Sequence, residues 1–123
     1  MYTPVLDPGV IEKLREVEMQ GSPGLLGDLH AIFRRTAAAQ LVEIERALFA
    51  GDPLGLQGAA HSLKSTCGNL GAYTMVELCQ EIERSVKAGE LGRVMGCLRR
   101  LEALYVAADV ELGSHVSRLV QRK

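Results

Sequence analysis

Several kinds of protein are excluded by what this sequence does not contain. No apolar run approaches the roughly 20 residues that a bilayer-spanning helix needs. The opening Met1-Tyr2-Thr3-Pro4 has neither the basic nor the apolar stretch of a signal peptide. Cytoplasm is therefore the expected compartment, with no membrane partner. No alternating β-branched run and no Asn-Gly pair is present, so strands and hairpins are not expected. Charge of one sign is not in excess: 14 Lys and Arg oppose 15 Asp and Glu, a net −1 that argues against a nucleic-acid partner. No glycine-rich nucleotide-binding motif occurs, so ATP should not be a ligand. The three histidines form no HxxH, HExxH or Glu-x-x-His pair, and neither a metal nor a cofactor is expected. Three cysteines, Cys67, Cys79 and Cys97, are an odd count without a CxxC pair. They are expected to be small buried hydrophobes, not disulfide partners. Internal repeats and low-complexity segments are also missing.

What is present reads as one all-helical unit over residues 1–123. Apolar residues make up 47% and charged residues 24%, the balance of a globular chain. A chain of this length can bury about two-thirds of its unfolded surface. Asp7-Pro8 supplies an N-cap and a first-turn proline for a short helix ending near Gly21, with Val10, Leu14 and Val17 as its stripe. Ser22-Pro23 gives the same start signal to a long second helix. There Leu29, Ile32, Phe33, Ala37, Leu41, Ile44 and Leu48 keep helical spacing until Gly51. Asp52-Pro53 opens a third helix, closed by the turn at Gly71. A fourth carries Met75, Leu78, Cys79, Ile82 and Val86 inward and stops at Gly89. The last begins near Glu90 and repeats Leu91, Leu98, Tyr105, Leu112 and Leu119 every seventh residue, with Val94, Leu101 and Ala108 as a second seam. Short joints make neighbours antiparallel. The expected fold is all-α, an antiparallel up-down four-helix bundle with an additional short N-terminal helix.

The third helix holds the chemistry. At 100° per residue, Leu56, Ala59, Leu63 and Leu70 gather on one side, with Thr66 and Cys67 at its edges. Gln57, His61, Lys64, Ser65 and Gly68 gather on the other, and no acidic residue interrupts that face. An imidazole ordinarily loses its proton near pH 6.5, so at cytoplasmic pH it offers a nucleophilic nitrogen. It can attack a phosphoryl group and carry it as a phosphoramidate. A lysine one turn on offsets the charge of the incoming oxygens. Ser65 and Gly68 leave room for another protein to close over the ring.

His61-Ser62-Leu63-Lys64-Ser65, followed by Asn69-Leu70-Gly71-Ala72, resembles the signature of histidine-containing phosphotransfer (HPt) domains. The resemblance extends to Leu78-Cys79-Gln80-Glu81-Ile82-Glu83 and, with the supporting helices, covers most of the chain. The family usually has glycine where this chain has Ser65; serine is small enough to keep the docking space. The resemblance implies a helical bundle that relays a phosphoryl group between receiver-domain aspartates, downstream of a hybrid sensor histidine kinase. His61 is then the phosphoacceptor and Lys64 the stabiliser of phosphoryl charge. Glu83 or Gln80 would orient the imidazole by binding its other nitrogen. Leu54, Gln57, Ser65 and Gly68 are candidate docking residues; Leu54 either contacts a receiver or packs beneath a neighbouring segment. Gly71 is expected to end its helix at positive φ.

His30, His115 and the basic tail of Arg118, Arg122 and Lys123 read as incidental. The chain is expected to be a phosphocarrier rather than an enzyme, monomeric and, from its starting Met1 and its full set of helices, free-standing. Two readings compete. A dimerising phosphoacceptor module of a histidine kinase would want an acidic residue directly after the histidine, where Ser62 stands. A helical adaptor would leave His61 idle.

Overall fold

The computed structural model describes residues 3–121, with side chains described through Val116. It has five helices: α1 Pro8–Met19, α2 Leu25–Ala50, α3 Pro53–Gly68, α4 Tyr73–Lys87 and α5 Gly92–Gln121. No strand occurs among the described residues. Helix α2 packs on α3, α3 on α4, α4 on α5 and α5 back on α2, so the four long helices close an antiparallel ring. The short α1 lies against α2. This is the architecture the sequence predicts.

Two starts follow local rules. The Asp7 carboxylate accepts from the Gly9 amide at 2.7 Å, and that of Asp52 from the Gly55 amide at 3.0 Å; each stands before a first-turn proline. The start of α2 does not. Ser22-Pro23 makes a turn instead of a helix: the Leu25 amide donates to the Ser22 carbonyl at 3.2 Å, and Gly24 takes φ +79° before the helix begins at Leu25. No residue of the α2 start caps it with a side chain. Glu18 of α1 does so instead, its Oε1 accepting from the Leu26 amide at 3.0 Å.

The stripes need three corrections. Val17 is 48% exposed and Ile32 47% exposed, so neither belongs to the core. In α1 the docking face runs through Ile11, Leu14, Arg15 and Glu18, with Ile11 buried and the two polar residues bonding to neighbouring elements. A wheel drawn on apolar residues alone turns this helix too far. In α2 the stripe centres on fully buried Phe33, and Ile32 sits 100° away from it. In α4, Ser85 is buried and Val86 only partly so, because Met75, Leu78, Cys79, Ile82 and Ser85 share one face.

The remaining core agrees with expectation. Leu56, Leu63, Met75, Ile82, Leu98, Leu101 and Leu112 are fully buried. The Phe33 and Tyr105 rings sit 5.5 Å apart, and the Tyr105 hydroxyl donates to the Arg34 carbonyl at 2.9 Å. All three cysteines are free and buried, and burial pushes the Cys67 and Cys79 thiols up to about 12. Leu119, Arg118, Arg122 and Lys123 lie outside the described side chains.

A strap at the N-terminus holds the turn that follows α3. The Val5 and Leu6 amides donate to the two oxygens of Glu111 on α5, at 2.7 and 3.1 Å. The Asp7 amide then donates to the Gly71 carbonyl at 3.0 Å. Gly71 has φ +73°, and a Cβ there would meet the Asp7 Cβ at 2.8 Å and Val10 at 3.0 Å. Both the positive φ and the close approach require glycine.

Candidate functional site

Helix α3 is a pillar with one dry and one wet face. Leu56, Ala59, Ala60, Leu63 and Cys67 are buried beneath it. Ala60, directly before the histidine, belongs to this seam although its spacing did not single it out. On the wet face the His61 side chain is 67% exposed. Ser65 is exposed, and Gln57, Lys64 and Gly68 are half-buried around it. Leu54, two turns before His61, is 82% exposed and so does not pack beneath a neighbouring segment. Thr66 folds its hydroxyl back onto the Ser62 carbonyl at 3.2 Å.

Helix α4 supplies the second half of the site. Glu83 reaches across so that its Oε2 lies 3.7 Å from His61 Nδ1 and its Oε1 lies 2.7 Å from Lys64 Nζ. The first separation exceeds a hydrogen bond; the second is a short charge-assisted bond. The Glu83 side chain is only 16% exposed and that of Lys64 25%. Gln80, the other candidate, is exposed. The carboxylate on the Nδ1 side of the ring is therefore that of Glu83.

The spacing on α3 places Lys64 one turn from His61 and says nothing of a partner for it. It is paired with Glu83, a partner 19 positions downstream that no spacing rule on α3 could reveal. Another feature missed from sequence is an open groove of about 570 Å³ between α2 and α3, lined by Arg35, Thr36, Gln40, Gly58 and Ser62 among others. It runs along the flank of α3 away from Glu83.

The other histidines serve packing. His30 Nε2 lies 2.8 Å from Asp109 Oδ1, linking α2 to α5, and the Arg15 guanidinium donates to His115 Nδ1 at 2.8 Å, linking α1 to α5. Among the described residues no group of three His, Cys, Asp or Glu side chains could hold a metal ion. Among the same residues no helix is long and apolar enough to cross a membrane.

The site is thus a solvent-facing imidazole on one helix of an antiparallel bundle, with a carboxylate of the next helix 3.7 Å from its Nδ1. The family model of the Hpt domain matches residues 28–121, and the chain belongs to that family. Histidine phosphotransfer within a phosphorelay is its function, and it acts there as a phosphocarrier. A similar solved structure is that of histidine-containing phosphotransfer protein B from Pseudomonas aeruginosa PAO1. It is 28% identical with a TM-score of 0.84, over 95% of this chain and 98% of that one. No curated protein sequence is similar enough to count as a match.

Proposed function

We propose that His61 is the residue that carries the phosphoryl group, taken from the aspartyl phosphate of one receiver domain and given to the aspartate of another. In the first transfer the Nε2 lone pair forms the N–P bond while the P–O bond to the donor aspartate breaks. The electron pair of that bond leaves with the donor carboxylate. The proton on Nδ1 stays, and the positive charge that develops on the ring faces Glu83. The reverse steps discharge the group onto the acceptor. The bundle contributes position and charge, and any Mg²⁺ the step requires belongs to the receiver.

Roles follow for the neighbours. Glu83 orients the imidazole and fixes the tautomer that presents Nε2 outward. Lys64, one turn on, offsets the charge of the phosphoryl oxygens during transfer. Leu54, Gln57, Ser65 and Gly68 form the surface on which a receiver sits. The chain works as one unit over residues 1–123, as a cytoplasmic monomer without an ATP site, fed by a hybrid sensor kinase through its receiver.

The observation that carries this reading is the 67% exposure of His61 with Nδ1, and not Nε2, turned toward Glu83. The test is incubation with a phosphorylated receiver. Acid-labile, base-stable label should appear on the wild type and be lost in His61→Gln with an unchanged helical CD spectrum. Equal labelling of that variant would falsify the assignment.

A further inference from the structure

Helix α5 turns to solvent a face that carries almost no charge. Gly92, Gly96, Arg99, Ala103, Val106 and Val110 follow one another at alternating steps of four and three residues, and all six are exposed. That is the spacing of a coiled-coil seam, on the side of a bundle helix that is ordinarily polar. Val106 is 60% exposed and Val110 64%. Arg99 is the one charged member, and its pair with Glu102 at 3.5 Å draws it toward the α2 edge. The stripe runs for about 27 Å.

Three observations say what such a face fits. Gly96 lies inside the helix without a positive φ, and a Cβ there would meet no atom within 4 Å. Glycine inside a helix is less stable than alanine, and nothing within the molecule asks for it. A bare backbone on an exposed face lets a second helix come close. At its far end the stripe meets a cavity of about 370 Å³ between Val110 and the N-terminal strap, with Pro4, Leu6, Pro8 and Ile11 as its apolar wall. An apolar anchor side chain has room there. The edges of the stripe also differ in charge. Toward α4 stand Arg93 and Arg100, with Arg84 across the groove. Glu77 and Glu81 line that groove too, but among the described residues neither is within ion-pair distance of Arg84 or Arg100.

We propose that the outer face of α5 is a second docking surface, for an amphipathic helix of another protein. That helix has small and apolar residues at the same spacing and carboxylates along the edge that meets Arg93 and Arg100. A second copy of this chain fits less well, because in an antiparallel two-fold pair the edge bearing Arg93 and Arg100 would meet itself. Helix α5 packs on α2 and α4 and stands diagonally from α3, so its partner leaves His61 uncovered. This surface stands whether or not His61 carries a phosphoryl group.

The test uses the full chain and a synthetic helical peptide of about 20 residues, with alanine and leucine at that spacing and glutamates along one edge. A twin peptide carries lysines on the same edge. Amide NMR shifts should change along residues 96–110 and at Ile11, and not around His61. Gly96→Leu and Val106→Asp should each weaken binding about tenfold, with transfer from a phosphorylated receiver unchanged. The lysine twin should bind about tenfold more weakly than the glutamate peptide, a gap that narrows in high salt. Gly96→Ala should raise the urea midpoint, since no internal contact opposes it. Failure of the glutamate peptide to bind, shifts confined to α2 and α3, equal affinity for Gly96→Leu, or equal affinity of the two peptides overturns the proposal. So does a Gly96→Ala midpoint at or below that of the wild type. A mass that doubles with concentration in the wild type and not in Gly96→Leu gives the face to a second copy and overturns it as well.

Discussion

The amide of Asp7 donates to the carbonyl of Gly71 at 3.0 Å, which ties the beginning of the chain to the turn directly behind the phosphoacceptor helix. That turn is where α3 hands over to α4, so it sets how Glu83 is offered to His61. Gly71→Ala should be costly. It places a Cβ at positive φ and drives it against Asp7 and Val10. A loss of about 2–4 kcal/mol in urea unfolding is expected from strain plus overpacking. A loss below about 0.5 kcal/mol would show that the strap yields freely.

Glu111 holds the other end of the strap. Its oxygens accept from two consecutive amides, and Glu111→Ala leaves both without that partner. About 1–3 kcal/mol should be lost. Hydrogen exchange at Val5 and Leu6 should rise by more than in α3. Uniformly raised exchange over the whole chain would contradict a local clasp.

Leu54 contributes nothing to the core at 82% exposure, so Leu54→Ala should change stability by less than about 0.5 kcal/mol. Its effect should appear in the receiver concentration needed for half-maximal transfer, raised several-fold, with labelling by phosphoramidate unaltered. An unchanged half-saturation point removes Leu54 from the docking surface.

Lys64→Ala should slow transfer from a phosphorylated receiver about tenfold at neutral pH. Only the pair with Glu83 is lost, and no core residue is touched, so helical content should hold. A wild-type rate removes Lys64 from the mechanism.

The thiols give an alkaline signature. Burial raises Cys67 and Cys79 to about 12, while an unfolded chain releases these protons near about 8.5. Above that pH the unfolded state holds fewer protons than the folded one, so stability falls as pH rises. The contribution is complete below about 8.5 and disappears toward 12. Urea midpoints should decline across that window, and both thiols should resist a water-soluble disulfide reagent until the bundle opens. Rapid titration of Cys67 in the native protein would contradict its burial.

Much of this was readable from local chemistry. Asp7-Pro8 and Asp52-Pro53 announce helices because cap and proline act within one turn, and His61 falls on the wet face of α3 by spacing alone. What escaped was settled between elements. Glu18 caps a helix that is not its own, so Ser22-Pro23 looked like a start and is a turn. The choice of Glu83 over Gln80 depends on the rotation of α4 against α3, and three positions on one helix cannot decide that. The pairing of Lys64 has the same origin. Ile11 in place of Val17 reflects a docking face that includes Arg15 and Glu18, where a hydrophobic wheel has nothing to register.

Glu18 also bears on how this protein can be shortened. Cutting the chain back to its four long helices would discard the oxygen that receives the Leu26 amide and the segment that braces Gly71 in a single stroke. The α2 terminus would fray from its first turn, and the floor behind the imidazole would lose its brace. A minimal version should therefore keep residues 5–24, however dispensable a small helix outside the ring looks.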